Sequence, residues 1–124
     1  MQLKNFKKIQ EQRKVIWDIY NLNLQNWAKS NNVKLPSVPD YATNNEHMFY
    51  LICELIEQRT KLLNNWKPSI HPVFHYISLH SSPYYTDKHD GRSLPETNHF
   101  TACLLRLPLF FELNSDLVVD GIVN

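Results

Sequence analysis

Five of the six histidines fall between residues 71 and 99: His71, His75, His80, His89 and His99, with Asp87 and Asp90 among them. Imidazole and carboxylate are zinc-type ligands, and such an ion needs three or four of them at fixed geometry. His75, His80 and one aspartate would supply three. On a strand, His71 and His75 would point to the same side, because side chains there alternate with period two. Neither an HExxH run nor a cysteine pair accompanies them, so the spacing matches no specific metal motif. Ser78, Ser81 and Ser82 flank His80, the residue types of nucleophilic hydrolysis. Sequence neighbours on an extended chain face different ways, however, and no Gly-x-Ser-x-Gly elbow is present. A third chemistry is recognition. Tyr76, Tyr84 and Tyr85, with His75 and His80, offer donors, acceptors and flat faces to a polar ligand. The same residues also read as strand and loop side chains with satisfied polar tips, and the residues alone leave these two readings open.

The elements that must position these groups follow from periodicity. Residues 2–28 read as one long helix. Leu3, Phe6, Ile9, Ile16, Ile19, Tyr20 and Trp27 recur at helical steps, with Lys4, Lys7, Lys8, Glu11 and Lys14 opposite, and neither Pro nor Gly interrupts. Ser30-Asn31-Asn32 ends it. A short extended piece near Val33–Leu35 leads into a loop with Pro36 and Pro39. His47–Cys53 is a continuous apolar run of strand length, which predicts a central strand buried on both faces. Ile56–Trp66 returns to helical spacing until Pro68 stops it. Val73–Ile77 predicts a second strand. The polar stretch from Ser78 to Pro95 has no period, and a loop of that length in a small protein is more often functional than idle. Thr97–Leu105 predicts a short helix, Leu107–Phe110 a brief apolar segment, and Asn114-Ser115-Asp116 the start of a last helix over 116–123.

Composition narrows the function classes. The chain has 124 residues, 43% hydrophobic and 20% charged, which predicts one globular domain. A net charge of +1 argues against nucleic-acid binding driven by phosphate neutralisation. The longest apolar run is far short of the roughly 20 residues that cross a bilayer, and the charged N-terminus reads as no signal peptide. Cys53 and Cys103 read as buried free thiols, consistent with a reducing cytoplasm. There are two glycines, Gly91 and Gly121, where average usage predicts roughly nine. A glycine-rich phosphate cradle cannot be written with them.

The segment HPVFHYISLHSSP (His71–Pro83) resembles the VFHYxPLHSSP stretch of the DegT/DnrJ/EryC1/StrS sugar-nucleotide aminotransferases. Its nearest branch is the dTDP-4-amino-4,6-dideoxygalactose transaminases. Four other segments resemble that family in the same order: Ile9–Tyr20, Lys34–Asp40, Asn44–Leu51 and Leu104–Asp116. The resemblance implies an α+β fold: the small C-terminal domain of a fold-type-I pyridoxal-phosphate (PLP) aminotransferase, with a long N-terminal helix packed on a short, mainly antiparallel sheet. It also implies a parent reaction, transfer of the glutamate amino group to a dTDP-4-keto-6-deoxy sugar in lipopolysaccharide or common-antigen synthesis. Residues 1–124 align with the small domain alone. The family's large domain, with its Schiff-base lysine and phosphate contacts, aligns with nothing here. The chain is therefore expected to be a truncated or detached part, catalytically silent and without its own PLP. Half of a split enzyme and a non-catalytic sugar-nucleotide-binding module are the alternatives. Carried over by motif, His75, Tyr76 and His80 are expected to contact the sugar or the partner subunit's site, while Arg13 and Tyr20 read as structural. Ser78 stands where the family usually has proline, and Phe100–Cys103 replace a charged run. The expected partners are a second copy, through an apolar face around Phe6, Trp27 and Phe110-Phe111, or a separate large-domain polypeptide. Neither nucleic acid nor membrane is expected, and the expected location is the cytoplasm.

Overall fold

The computed structural model describes residues 2–124, with side chains from Lys4 onward, so Leu3 on the expected apolar stripe has its side chain outside the described residues. A 3-10 turn over Gln2–Asn5 leads into α1 (Phe6–Asn23) and then α2 (Gln25–Ser30). The expected single helix is thus broken at Leu24. The Asn23 side-chain amide donates to the Ile19 carbonyl at 2.9 Å, competing for a ladder acceptor. Helical hydrogen bonds still cross the break, from Leu24 N to Tyr20 O at 3.0 Å and from Ala28 N to Leu24 O at 2.8 Å. Asn32 then turns into the left-handed region at φ 53°, a conformation asparagine tolerates, which ends the helix where Ser30-Asn31-Asn32 predicted. The buried stripe is Ile16, Trp17, Tyr20, Leu24 and Ala28. Phe6 is exposed, and Trp27 is half-buried against Trp66.

Three antiparallel strands follow: β1 (Phe49–Ile52), β2 (Val73–Phe74) and β3 (Leu104–Leu107), in the order β1-β3-β2. The expected central strand is therefore at one side. The centre belongs to β3, part of which the periodicity assigns to a helix. Helix α4 (Pro95–Cys103) stops one residue before β3 begins. Lys34 bridges Ile52 on the outer side of β1, where the sequence predicts an extended piece. Between the strands, α3 (Ile56–Trp66) has the expected bounds, and α5 (Ser115–Val123) closes the fold behind an Asn114 cap that accepts from Leu117 N.

The core lies on one sheet face. Phe49, Leu51, Leu105 and Leu107 are buried there, and Trp17 and Tyr20 of α1 meet the Phe49 ring edge-on at 5.4 and 5.2 Å. Gly121 of α5 permits close packing at its edge, since a Cβ there would sit 3.2 Å from Ile70 Cδ1. Tyr20 is fully buried, and its hydroxyl donates to the Pro108 carbonyl at 2.9 Å, tying α1 to the residue after β3. Tyr20→Phe keeps the ring and deletes the donor. It is expected to cost about 1–2 kcal/mol, seen as a lower urea midpoint at unchanged slope. An unchanged midpoint would show that this bond contributes nothing. The opposite face carries Tyr50, Arg106 and Val73 in register.

Candidate functional site

The β2–β3 pairing stops at Phe74–Leu105, one residue short of the start of β3 at Leu104, which follows directly on α4. The chain from His75 to Ser78 therefore leaves the sheet, and β2 is two residues long instead of the expected five. Val73, Phe74, Tyr76, Ile77 and Leu79 are all exposed. His71 lies outside the strand in the left-handed region, at φ 57°, so it does not share a strand face with His75.

His75 and Tyr76 are brought together, with ring centroids 5.1 Å apart and edge-on. The Tyr76 ring is 72% exposed, and the Arg106 guanidinium lies 5.6 Å from its centroid. A cleft of about 390 Å³ opens here, lined by His47, Met48, Val73, His75, Tyr76 and Arg106 among others. On the other side of His75 a second cleft, of about 320 Å³, runs between Phe74, Ser78, Arg59 and Asn98. His80 joins only at one remove. It is hydrogen-bonded to Asn98 Oδ1 at 2.8 Å and stacks 5.2 Å from His89, turned toward α4. His89 in turn contacts the Arg92 carbonyl at 3.0 Å. Of these histidines, His80 and His89 form a pair, while His75 packs on Tyr76 and His99 on Phe100.

Among the described residues, no three His, Cys, Asp or Glu side chains converge as metal ligands. Ser82 donates its hydroxyl to the Leu79 carbonyl at 2.8 Å, a loop-closing bond. Cys53 and Cys103 are buried free thiols, and burial, reinforced by Cys103, pushes the Cys53 thiol up to about 11. Tyr84 lies under the Lys88 ammonium, 3.4 Å from its ring centroid, in the exposed loop. A larger cleft of about 540 Å³ lies between Lys29, Lys34, Glu54 and His99 and shares no lining residue with the His75 clefts.

Arg106 is the site residue that sequence reasoning missed. Its signal was a lone cation in the apolar run Leu104–Leu107, which strand alternation turns away from the core. Among the described residues, the buried side-chain polar atoms without a partner are His75 Nδ1 and Arg106 Nε.

A long, once-broken helix laid on a three-stranded antiparallel sheet, with a cleft on the sheet's outer face, is part of the aminotransferase fold. The solved structures bear this out. The aminotransferase TlmJ from Streptoalloteichus hindustanus matches at TM-score 0.83 and 19% identity, over 98% of this chain and 33% of that one. DesV from S. venezuelae, solved with a ketimine intermediate, matches at TM-score 0.83 and 23% identity over 97% and 32%. NtdA from Bacillus subtilis, solved with bound cofactor PMP, matches at TM-score 0.76 and 23% identity over 92% and 27%. The chain thus spans about a third of the length of these structures. Residues 1–123 match the DegT/DnrJ/EryC1/StrS aminotransferase family, and the chain belongs to it.

That family uses PLP. All nine lysines are exposed, and none lines either cleft beside His75. A lysine-anchored cofactor needs a lysine facing the pocket and a cradle for its phosphate. Lys29 and Lys34 line only the separate larger cleft, so the residues beside His75 do not fit a lysine-anchored cofactor.

Among the described residues no helix is long and apolar enough to cross a membrane.

Proposed function

We propose that this chain forms the small, substrate-facing part of a PLP-dependent sugar-nucleotide aminotransferase and does not transaminate by itself. The observation that carries the reading is the family match over residues 1–123, together with a His75–Tyr76 cleft that holds recognition groups and no lysine. In this reading His75 and Tyr76 contact the substrate directly. His80, held by Asn98, positions the loop that borders it. The proposed parent reaction moves the glutamate amino group to a dTDP-4-keto-6-deoxy sugar for lipopolysaccharide or common-antigen synthesis. In this reading the parent enzyme is a dTDP-4-amino-4,6-dideoxygalactose transaminase, whose motif the segment His71–Pro83 resembles. The exposed row Phe74, Tyr76, Ile77 and Phe100 favours a second feature of the same reading. An apolar row of that kind is a surface for a covering polypeptide that supplies the lysine and phosphate contacts.

The test is to add PLP to the chain, reduce with borohydride and locate adducts by mass spectrometry. The expected result is low, unselective labelling spread over exposed lysines. Stoichiometric trapping at one lysine would overturn the reading and place cofactor chemistry on this chain.

A further inference from the structure

We infer that Cys53 and Cys103 are a cross-strand thiol pair that closes into an intrachain disulfide when a low-molecular-weight disulfide such as oxidised glutathione supplies the oxidation. The antiparallel register of β1 and β3 sets Leu51 opposite Leu105 and Ile52 opposite Leu104, so the next pair outward is Cys53 and Cys103. The Cys53 N–H donates to the Cys103 carbonyl at 3.0 Å, which carries the ladder one bond past both strands. In a bonded antiparallel pair the Cα atoms lie about 5.5 Å apart, inside the roughly 4.4–6.8 Å that a disulfide spans. Directly opposed side chains share one face of a sheet. Here it is the core face, because Cys53 continues the buried alternation of Phe49 and Leu51, and Cys103 that of Leu107 and Leu105. The Cys103 sulfur sits 3.8 Å from the carbonyl oxygen of Glu54, the residue after Cys53. Burial lifts both thiols, Cys103 adds to the lift on Cys53 by its nearness, and the Arg59 charge draws both back. Arg59 is held there by its Nε, which donates to the Ala102 carbonyl at 2.9 Å. Cys53 also lines the cleft of about 540 Å³ beside Lys29, Lys34 and His99, which gives a small reagent its way in. The Cys53 thiolate attacks one sulfur of the small disulfide, whose S–S bond breaks and releases one glutathione thiolate. The Cys103 thiolate then attacks the Cys53 sulfur of this mixed disulfide and releases the second. The two protein protons end on the two released thiolates, so two thiols are oxidised for each small disulfide reduced. Because burial keeps both cysteines protonated at neutral pH, the exchange is slow there and quickens as pH rises.

The disulfide joins the end of α4 to the residue after β1 and closes a loop that contains α3 and β2. Neither cysteine lines the clefts beside His75, so its formation is independent of the proposed function. The test equilibrates the full chain with graded mixtures of reduced and oxidised glutathione, quenches with acid, and reads closure by intact mass and by the Cys53–Cys103 linked peptide. Repeating it in concentrated urea gives the effective concentration of one thiol toward the other in the unfolded chain. The folded chain is expected to close at an effective concentration at least about tenfold higher, since a fold that brings the sulfurs together favours the bond. By the same cycle the linked chain should unfold at a higher urea midpoint than the reduced one. An effective concentration no higher than in urea, or a linked chain with a lower midpoint, overturns the pair. So do glutathione adducts without the linked peptide, links between two chains only, or two thiols still free in the most oxidising mixture.

Discussion

Phe49→Ala is expected to destabilise the protein by about 3–5 kcal/mol, the range for truncating a buried aromatic. Phe49 is completely buried at the start of β1, and the Trp17 and Tyr20 rings of α1 close on it at 5.4 and 5.2 Å. Its removal opens a cavity where helix and sheet meet, and two rings lose an edge-to-face neighbour. The loss would be a large share of the roughly 5–15 kcal/mol typical of a folded domain. Urea denaturation followed by far-UV circular dichroism measures it. Phe6→Ala is the comparison, because that ring is 57% exposed and its loss should change stability by about 0.5 kcal/mol or less. Equal effects of the two substitutions would mean that Phe49 is not at the centre of the core.

Raising the pH above about 9 should weaken the fold progressively, with most of the Cys53 contribution gone near pH 11. Burial, then the neighbouring Cys103, lifts the Cys53 thiol from 9.0 to about 11. Burial also holds the Tyr20 phenol well above its ordinary range. Both groups are therefore neutral in the folded chain over a pH range in which the unfolded chain ionises them. Their stabilising effect is complete below the unfolded value and declines as pH rises toward the folded one. For Cys53 the full loss corresponds to about 3 kcal/mol. Urea midpoints between pH 7 and pH 11 would show the decline. Cys53→Ala should flatten the branch that starts near 9, and Tyr20→Phe should flatten its continuation at higher pH. An alkaline branch as steep in both variants as in the parent would assign it to other groups.

How much of this was legible in advance differs from element to element. Helix α3 could be read to the residue, because Ile56, Leu62, Leu63 and Trp66 share a face and Pro68 lies just beyond. The last helix was legible from Asn114, whose side chain caps it. The Leu24 break was not, since it turns on a side-chain bond from Asn23 within an otherwise regular pattern. Leu104 and Leu105 were read as helix because nothing local separates LLRL from the helical run before it. They become strand by pairing with Ile52 and Leu51, more than fifty residues earlier. At the site, the motif singled out His75, Tyr76 and His80. Only the fold joins the first two, turns the third toward Asn98, and adds Arg106.

The sequence by itself determined the α+β class, the long opening helix, the punctuation by Pro68 and Asn114, and the family resemblance. These are carried by residue type and by spacings of two to four residues, which act along the chain. The tertiary structure alone decided that β3 is central, that β2 stops after Phe74, and that His75 and Arg106 share a cleft with no acceptor for either. Those outcomes depend on which distant segments meet across the sheet and on which donors burial leaves unpaired. Neither is set by any short stretch of chain.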